Sequence, residues 1–215
     1  MKLYTYPGAP NPLRVDLVIA EKAIDLESVV VDIAAGEQLS ADYRRKNPNC
    51  DVPMLELPDG TCISQVPAVM YYLEQCYPEH PLYGTSEEQT ALAMMWEHLA
   101  FQNGILAVAD VLRNTSKAMP NRALVGPHDY PQLPELAERS RLRVGHYFAD
   151  LDARLAETEY VAGDFFSVAD ITAWVTCHFA GWVKLKFDPH QHPALKAWHD
   201  RVAARPAFVA TVKPR

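Results

Sequence analysis

Four cysteines and eight histidines are the side chains of this 215-residue chain best suited to metal or redox chemistry, so their spacing comes first. Cys50, Cys62, Cys76 and Cys177 are scattered, with no CxxC pair and no ligand-like interval, so neither a zinc site nor a dithiol motif is legible. Most of them read as buried thiols, with Cys50 set apart only by its place in a loop that other motifs make interesting. The histidines, among them His98, His178, His190 and His192, show no ligand spacing and receive no catalytic role. No metal is expected. Lys and Arg total 20 against 27 Asp and Glu, a formal charge of −7, which argues against nucleic acid and anionic membrane as partners. No apolar run is long enough to span a bilayer, and Met1 leads into a strand-like segment with no basic, apolar leader, so the expected compartment is the cytoplasm.

Any chemistry must therefore come from polar groups that the fold brings together. Residues 2–5 form a short strand candidate, broken by Pro7, Gly8, Pro10 and Pro12; Val15, Val18 and Ile19 then recur at helical spacing. Pro12 suits the first turn of that helix. Residues 27–33 carry Val29, Val30 and Val31, a β-branched run with the density of a strand covered on both faces. Strand, helix and strand within about thirty residues have the size of one parallel crossover unit. A short helix is expected over 40–46, a strand over 52–57, the turn Pro58-Asp59-Gly60, and an antiparallel partner over 61–64. Val66, Val69, Met70, Leu73, Cys76 and Tyr77 follow the spacing of one buried helical face.

Residues 78–84 hold two prolines and a glycine, and no comparable strand follows, which places the domain boundary there: a front domain over 1–77, a linker over 78–87 and a helical domain over 88–215. Thr85-Ser86-Glu87-Glu88 has the form of a capping box before a long helix reaching about Leu112. Residues 114–134, rich in Pro, Asn and Gly, read as a long surface loop. A helix through Val144, Phe148, Leu151 and Leu155 follows. Ser167-Val168-Ala169-Asp170 is a second capping pattern, opening a helix that is apolar on nearly every side and so expected at the centre. Leu195, Trp198 and Val202 mark one more helix, closed by Arg205-Pro206.

Two stretches carry a family pattern. The front half, with Gly36-Glu37-Gln38-Leu39-Ser40, Asn47-Pro48, Val52-Pro53, Asp59-Gly60, Ala68-Val69 and Tyr72-Leu73-Glu74, resembles the glutathione-binding domain of glutathione transferases. The back half, with Val161-Ala162-Gly163-Asp164, Ser167-Val168-Ala169-Asp170-Ile171 and Ala203-Ala204-Arg205-Pro206, resembles the helical domain of the same superfamily. The implied fold is an α/β thioredoxin-like N-terminal domain plus an all-α C-terminal domain. Pro10-Asn11-Pro12 followed by Arg14-Val15 looks most like bacterial members near the theta and nu classes. The active-site cysteine of the beta and omega classes is absent.

The resemblance implies an enzyme that binds glutathione as co-substrate, stabilises its thiolate and directs it at a small hydrophobic electrophile. Helix dipole, free amides and a side-chain donor near sulfur would lower the thiol pKa. The family's activating serine or tyrosine has no plain counterpart in Tyr6-Pro7-Gly8-Ala9-Pro10-Asn11-Pro12. Asn11, which resembles the asparagine of nu-like members, is the first candidate, though an asparagine also suits a Pro-flanked turn; Tyr6 is the alternative, with packing as its competing role. Val52-Pro53 resembles the family's cis-proline element, at which the valine backbone pairs with the ligand's cysteinyl backbone. Gln65-Val66 stands where the γ-glutamyl end would meet the third helix, with Pro67 expected at the first helical position and Val66 as a poor cap before it, and Gln38 where the glycyl carboxylate would lie. Cys50 stands where glycine is common, and Asp51 where a cation or glutamine is common, so a carboxylate there is expected to repel an anionic ligand. Trp96, Phe101, Asn103 and Trp182 are candidates for a second-substrate pocket, against the alternative that they are core. A homodimer is carried over from the resemblance. Two other readings stay open: a non-catalytic binding or assembly module, kept alive by Ala9, Asp51 and Val66, or a glutathione-dependent reductase or isomerase.

Overall fold

The computed structural model of the chain describes residues 1–212, which divide into two units: one of Met1–His80 with Leu124–Asp129, the other of Pro81–Ala123 with the chain from Tyr130 onward.

In the first unit β1 (Lys2–Thr5) is central, parallel to β2 (Glu27–Val30) and antiparallel to β3 (Met54–Glu56), which forms a hairpin with β4 (Cys62–Ser64), giving the order β2-β1-β3-β4. The Asp59-Gly60 turn closes that hairpin, with the Thr61 N–H donating to Asp59 Oδ1 and Gly60 at φ 88°, a conformation that favours glycine. Strand alternation sends Leu3 and Thr5 inward. Between β1 and β2 runs α1 (Pro10–Glu21), which buries Leu13, Val15, Leu17 and Val18 and packs against α3 (Val66–Cys76), whose Val69, Met70 and Leu73 are fully buried. Each such side chain contributes about 1.5–3 kcal/mol of transfer free energy.

Tyr4 alternates to the opposite face, where the ring of Tyr43 on α2 (Ala41–Lys46) meets it edge-on. Ser40 caps α2 by accepting from the Tyr43 N–H. The hydroxyl of Tyr4 donates to Glu56, and Lys46 donates to both, which ties α2 to the sheet.

Three local expectations need correction in this unit. The strand at residues 27–33 is shorter and is not covered on both faces: β2 is an edge strand, with Val30 56 % exposed. Cys76 points to solvent, because the helical stripe of α3 ends at Leu73 and Glu74. The cap of α3 is Gln65, not Val66, since Val66 is already helical.

The second unit is helical. One long helix was expected to about Leu112; it is α4 (Glu87–Ala100) and α5 (Leu106–Thr115), joined through a π-helical turn over Phe101–Ile105. The glycine of this turn packs closely against the helix that carries Thr176. A Cβ added at Gly104 would lie 2.6 Å from Thr176 Cγ2, so only glycine allows this approach. The Gln102 carbonyl there accepts from Arg143 of α6 (Pro134–Glu157). At the start of α4 the cap pairs Ser86 with the Gln89 N–H, while the Gln89 side chain reaches back to the Thr85 N–H.

Asp170 closes a full capping box with Ser167 at the start of α7 (Val168–Ala180), the central helix, which is buried along most of its length. Then α8 (Pro193–Ala203) is followed by a further short helix, α9 (Pro206–Thr211), opened by the proline expected to close the chain's last helix. None of the described helices is long and apolar enough to cross a membrane.

One half-buried acid in the first unit yields a stability prediction. Burial pushes the Asp16 carboxyl up to about 6 from the ordinary 3.8, so the protonated form is favoured on folding and the stability linked to it is lost as pH rises through 6. Asp16→Asn is therefore expected to raise stability by about 1–2 kcal/mol at pH 8, with the gain vanishing below pH 4, as read by thermal melts across that range.

Candidate functional site

The segment joining β1 to α1 is a tight turn in which the Ala9 N–H donates to the Tyr6 carbonyl and Gly8 takes φ 80°. Pro10 is the first helical residue and Pro12 the third, so neither brings an N–H, and the Leu13 N–H is spent on the Ala9 carbonyl. The helix therefore presents a single open amide in its first turn, that of Asn11. Its side chain is held as well: Arg14, whose side chain is fully buried, donates Nη1 to Asn11 Oδ1 at 2.9 Å. With the oxygen engaged, the Asn11 amide group is the end left to donate. Tyr6 lies in the same turn, half-buried.

The second part is the loop before β3. Asn47, 1 % exposed, donates Nδ2 to both the carbonyl (2.9 Å) and the carboxylate Oδ1 (2.7 Å) of Asp51. The Tyr43 hydroxyl also donates to the Asp51 carbonyl, and burial pushes that hydroxyl up to about 12, so it remains a donor. These bonds fix the backbone entering Val52. The Val52–Pro53 peptide is cis. Val52 precedes β3, and no hydrogen bond from its N–H or C=O joins it to the sheet. A short length of edge backbone is thus left open to an extended peptide.

The third part is the start of α3. Gln65 stands at φ 74°, its carbonyl accepting from the Ala68 and Val69 N–H groups. Pro67 has no N–H, which leaves the Val66 amide as the open donor of that first turn. Gln65 Nε2 donates to Asp51 Oδ2 at 2.8 Å, so Asp51 links the second and third parts. Gln38, in a single 3-10 turn over Glu37–Leu39, has its Oε1 buried with no hydrogen-bond partner among the described residues. A carboxamide can present either end, so this position suits a ligand donor or, turned about its last bond, a ligand carboxylate.

The structure thus gathers Val52, Pro53, Gln65 and Val66 through Asp51, with Asn11 and Tyr6 at the other helix mouth of the same unit. The four aromatic and amide candidates of the helical unit lie on three elements: Trp96 on α4, Phe101 and Asn103 in the π-helical turn, and Trp182 in a 3-10 turn over Gly181–Val183. The Trp96 ring lies under the Arg154 guanidinium, 4.6 Å from its centroid, and Trp182 packs edge-on against Phe179. Both have packing roles there. Phe101 and Asn103 belong to the π-helical turn, where Asn103 is exposed. Arg14 and Asn47 were missed in the sequence. The signal for Arg14 was an arginine set between Leu13 and Val15 on the apolar side of a helix. No cluster of His, Cys, Asp and Glu suited to a metal occurs among the described residues.

Comparison with known proteins agrees with this architecture. Residues 1–75 match the family described as glutathione S-transferase, N-terminal domain, and residues 114–206 match its C-terminal domain counterpart. A crystal structure of a glutathione S-transferase domain-containing protein from Marinobacter aquaeolei is 36 % identical with a TM-score of 0.89, covering 97 % of this chain and 100 % of that one. Glutathione S-transferase 2 of Saccharomyces cerevisiae is 31 % identical over 96 % of this chain and 87 % of its own length. A disulfide-bond oxidoreductase of Escherichia coli is 26 % identical over 95 % of this chain and 91 % of its own length. The chain belongs to the glutathione S-transferase family, whose members are glutathione-dependent enzymes.

Proposed function

We propose that the chain binds glutathione along Val52 and holds its sulfur as a thiolate at the mouth of α1, for attack on a small hydrophobic electrophile. The observation that carries the reading is the open N–H and C=O of Val52, held in place from behind by the Asn47 and Tyr43 bonds to Asp51. A peptide thiol laid there as an added strand has its γ-glutamyl carboxylate beside the Val66 amide and its glycyl end toward Gln38. The sulfur then falls to Asn11, whose backbone and side-chain donors face it together because Arg14 occupies the side-chain oxygen. The proposal extends to a cytoplasmic homodimer, for which sedimentation is the measurement.

Calorimetry with the ligand-free protein and glutathione tests the reading directly, and absence of any heat of binding sinks it. Asn11→Ala is expected to leave affinity within a few-fold, raise the pKa of the bound thiol by about one unit and lower turnover roughly tenfold. The thiolate absorbance titrated against pH reads the first effect. An unshifted titration would move the activating role to Tyr6. The same thiolate could serve disulfide reduction, the reaction in the name of the Escherichia coli relative, so assays pair an aryl halide with a mixed disulfide.

A further inference from the structure

The helical unit holds an aromatic cluster in which two of the rings are imidazoles. Trp174 on α7 is 5 % exposed, and its indole N–H is buried with no hydrogen-bond partner among the described residues, so ring contacts are what fix it. His178, one turn further along α7, and His199 on α8 both stack on that indole, each with its centroid 5.4 Å away and its plane tilted by only 12° and 15°. Phe208 of α9 meets the same indole edge-on at 5.0 Å. Phe187, in the segment before α8, meets His199 edge-on at 5.5 Å and Phe148 of α6 at 5.8 Å. One indole therefore joins α7, α8 and α9, and both imidazoles on it are half-buried rings of the type that titrates near neutral pH.

Stacked neutral rings are held by dispersion and burial, whereas a proton brings a charge that the stack must desolvate. The charges around His199 come from several elements. On α8, Asp200 Oδ1 lies 3.7 Å from its Nδ1, and Asp200 is itself paired with Lys196. From α7 comes His178, while Asp170 stays in the box at the head of that helix and accepts from Trp198. On α6, Asp152 accepts from the Leu195 N–H. Lys186 and Asp188 flank Phe187, both exposed, with Asp188 accepting from the His190 N–H. No titratable side chain belongs to α9, and Arg205 before it stands over the Phe166 ring. Burial holds the His199 imidazole below its ordinary 6.5; Asp200 works against the lowering, and Lys196 and His178 add to it. A His199 released from the stack returns to the ordinary value, so the released form binds more protons and the stack loses stability as pH falls below 6.5.

We propose that the Trp174–His178–His199 stack is an acid-released latch, which holds α8 and α9 on α7 at neutral pH and lets those two helices open locally when His199 takes up a proton. Each opening that captures one proton becomes up to about tenfold more frequent per pH unit below the ordinary imidazole value. Hydrogen exchange read by mass spectrometry on peptides of α8 and α9, at pH 5, 6 and 7 and corrected for intrinsic rates, measures that opening. The comparison is with His199→Phe, which keeps a ring on the indole but has no proton to gain, and with His199→Gln. Asp170 is common to all three chains and cancels between them. The ratio of opening in the unaltered chain to that in His199→Phe is expected to rise about tenfold from pH 7 to pH 5, with the exchange of α4 and α5 keeping a constant ratio. A ratio independent of pH in both folded variants overturns the latch, and so does a rise shared by every helix, which would be global unfolding. An imidazole titration followed by proton NMR needs no variant: in the unaltered chain the His199 ring should titrate below 6.5, and a value at or above it overturns the proposal.

Discussion

Replacing Asp170 by alanine is expected to cost the protein about 3–5 kcal/mol of stability and to lower its melting temperature by roughly 10 °C. The size of the effect follows from what one side chain satisfies. Asp170 is fully buried at the third position of α7; its Oδ1 accepts from the Val161 N–H at 3.0 Å and from Trp198 Nε1 at 2.8 Å. Its Oδ2 accepts from the Ser167 N–H at 3.0 Å and the Ser167 hydroxyl at 3.2 Å. Alanine would strand donors from the preceding loop, the helix cap and α8 at once, in a region water does not reach. Asparagine offers only one acceptor oxygen and turns its amide hydrogens toward donors, so it should recover a minor part of the loss.

Burial pushes the Asp170 carboxyl up to about 6, the hydrogen bonds to its charged form holding it from rising further. Its ordinary value is 3.8, so the stability linked to the protonated form is full below that pH and lost as pH rises through 6. Urea unfolding at pH 4, 5, 6 and 7 should show this slope in the unaltered chain and its absence in Asp170→Asn. A variant with unchanged midpoints at pH 7 would mean that the four hydrogen bonds contribute no net stability.

The parts of the fold that were legible in the sequence are those set by local signals. The prolines and glycine after β1, the Asp59-Gly60 turn and the Ser167–Asp170 box each fix their own few residues, and the structure has them in place. What was not legible depends on partners distant in the chain. The valines of β2 suit a strand, but their exposure follows from strand order, which leaves β2 at an edge. The π-helical turn holds Gly104 close against Thr176, and nothing in the 101–105 segment alone announces it. In the site, Asn11 was identifiable but the bond that orients it was not, since a buried arginine is the less common reading of Arg14. Asp51 is the sharper case. Its charge was plain, but the two amides that hold its carboxylate, at positions 47 and 65, are brought to it only by the folded chain.

Lys22 is the other position at which one substitution should be severe. Its Nζ, with the side chain at 0 % exposure, lies 2.6 Å from Glu74 Oε2 and donates to the carbonyls of Tyr77, Glu79 and His80 at 2.7, 3.4 and 3.2 Å. The ammonium thus sits at the C-terminal end of α3, where the helix dipole favours a cation, and ties the end of α1 to the backbone leaving the first unit. Lys22→Met is expected to destabilise by about 3–5 kcal/mol, because it deprives a buried carboxylate of this cation and several carbonyls of their donor together. Glu74→Gln should cost less, since the ammonium keeps its carbonyls. The double variant Lys22→Met/Glu74→Leu separates the two terms: removing both charges recovers the ion-pair part, and what stays lost measures the carbonyl bonds. Recovery of about half is the expected result in a denaturant cycle. Full recovery would show that the carbonyl contacts add nothing, and no recovery would show that the carbonyls, not Glu74, are what Lys22 serves.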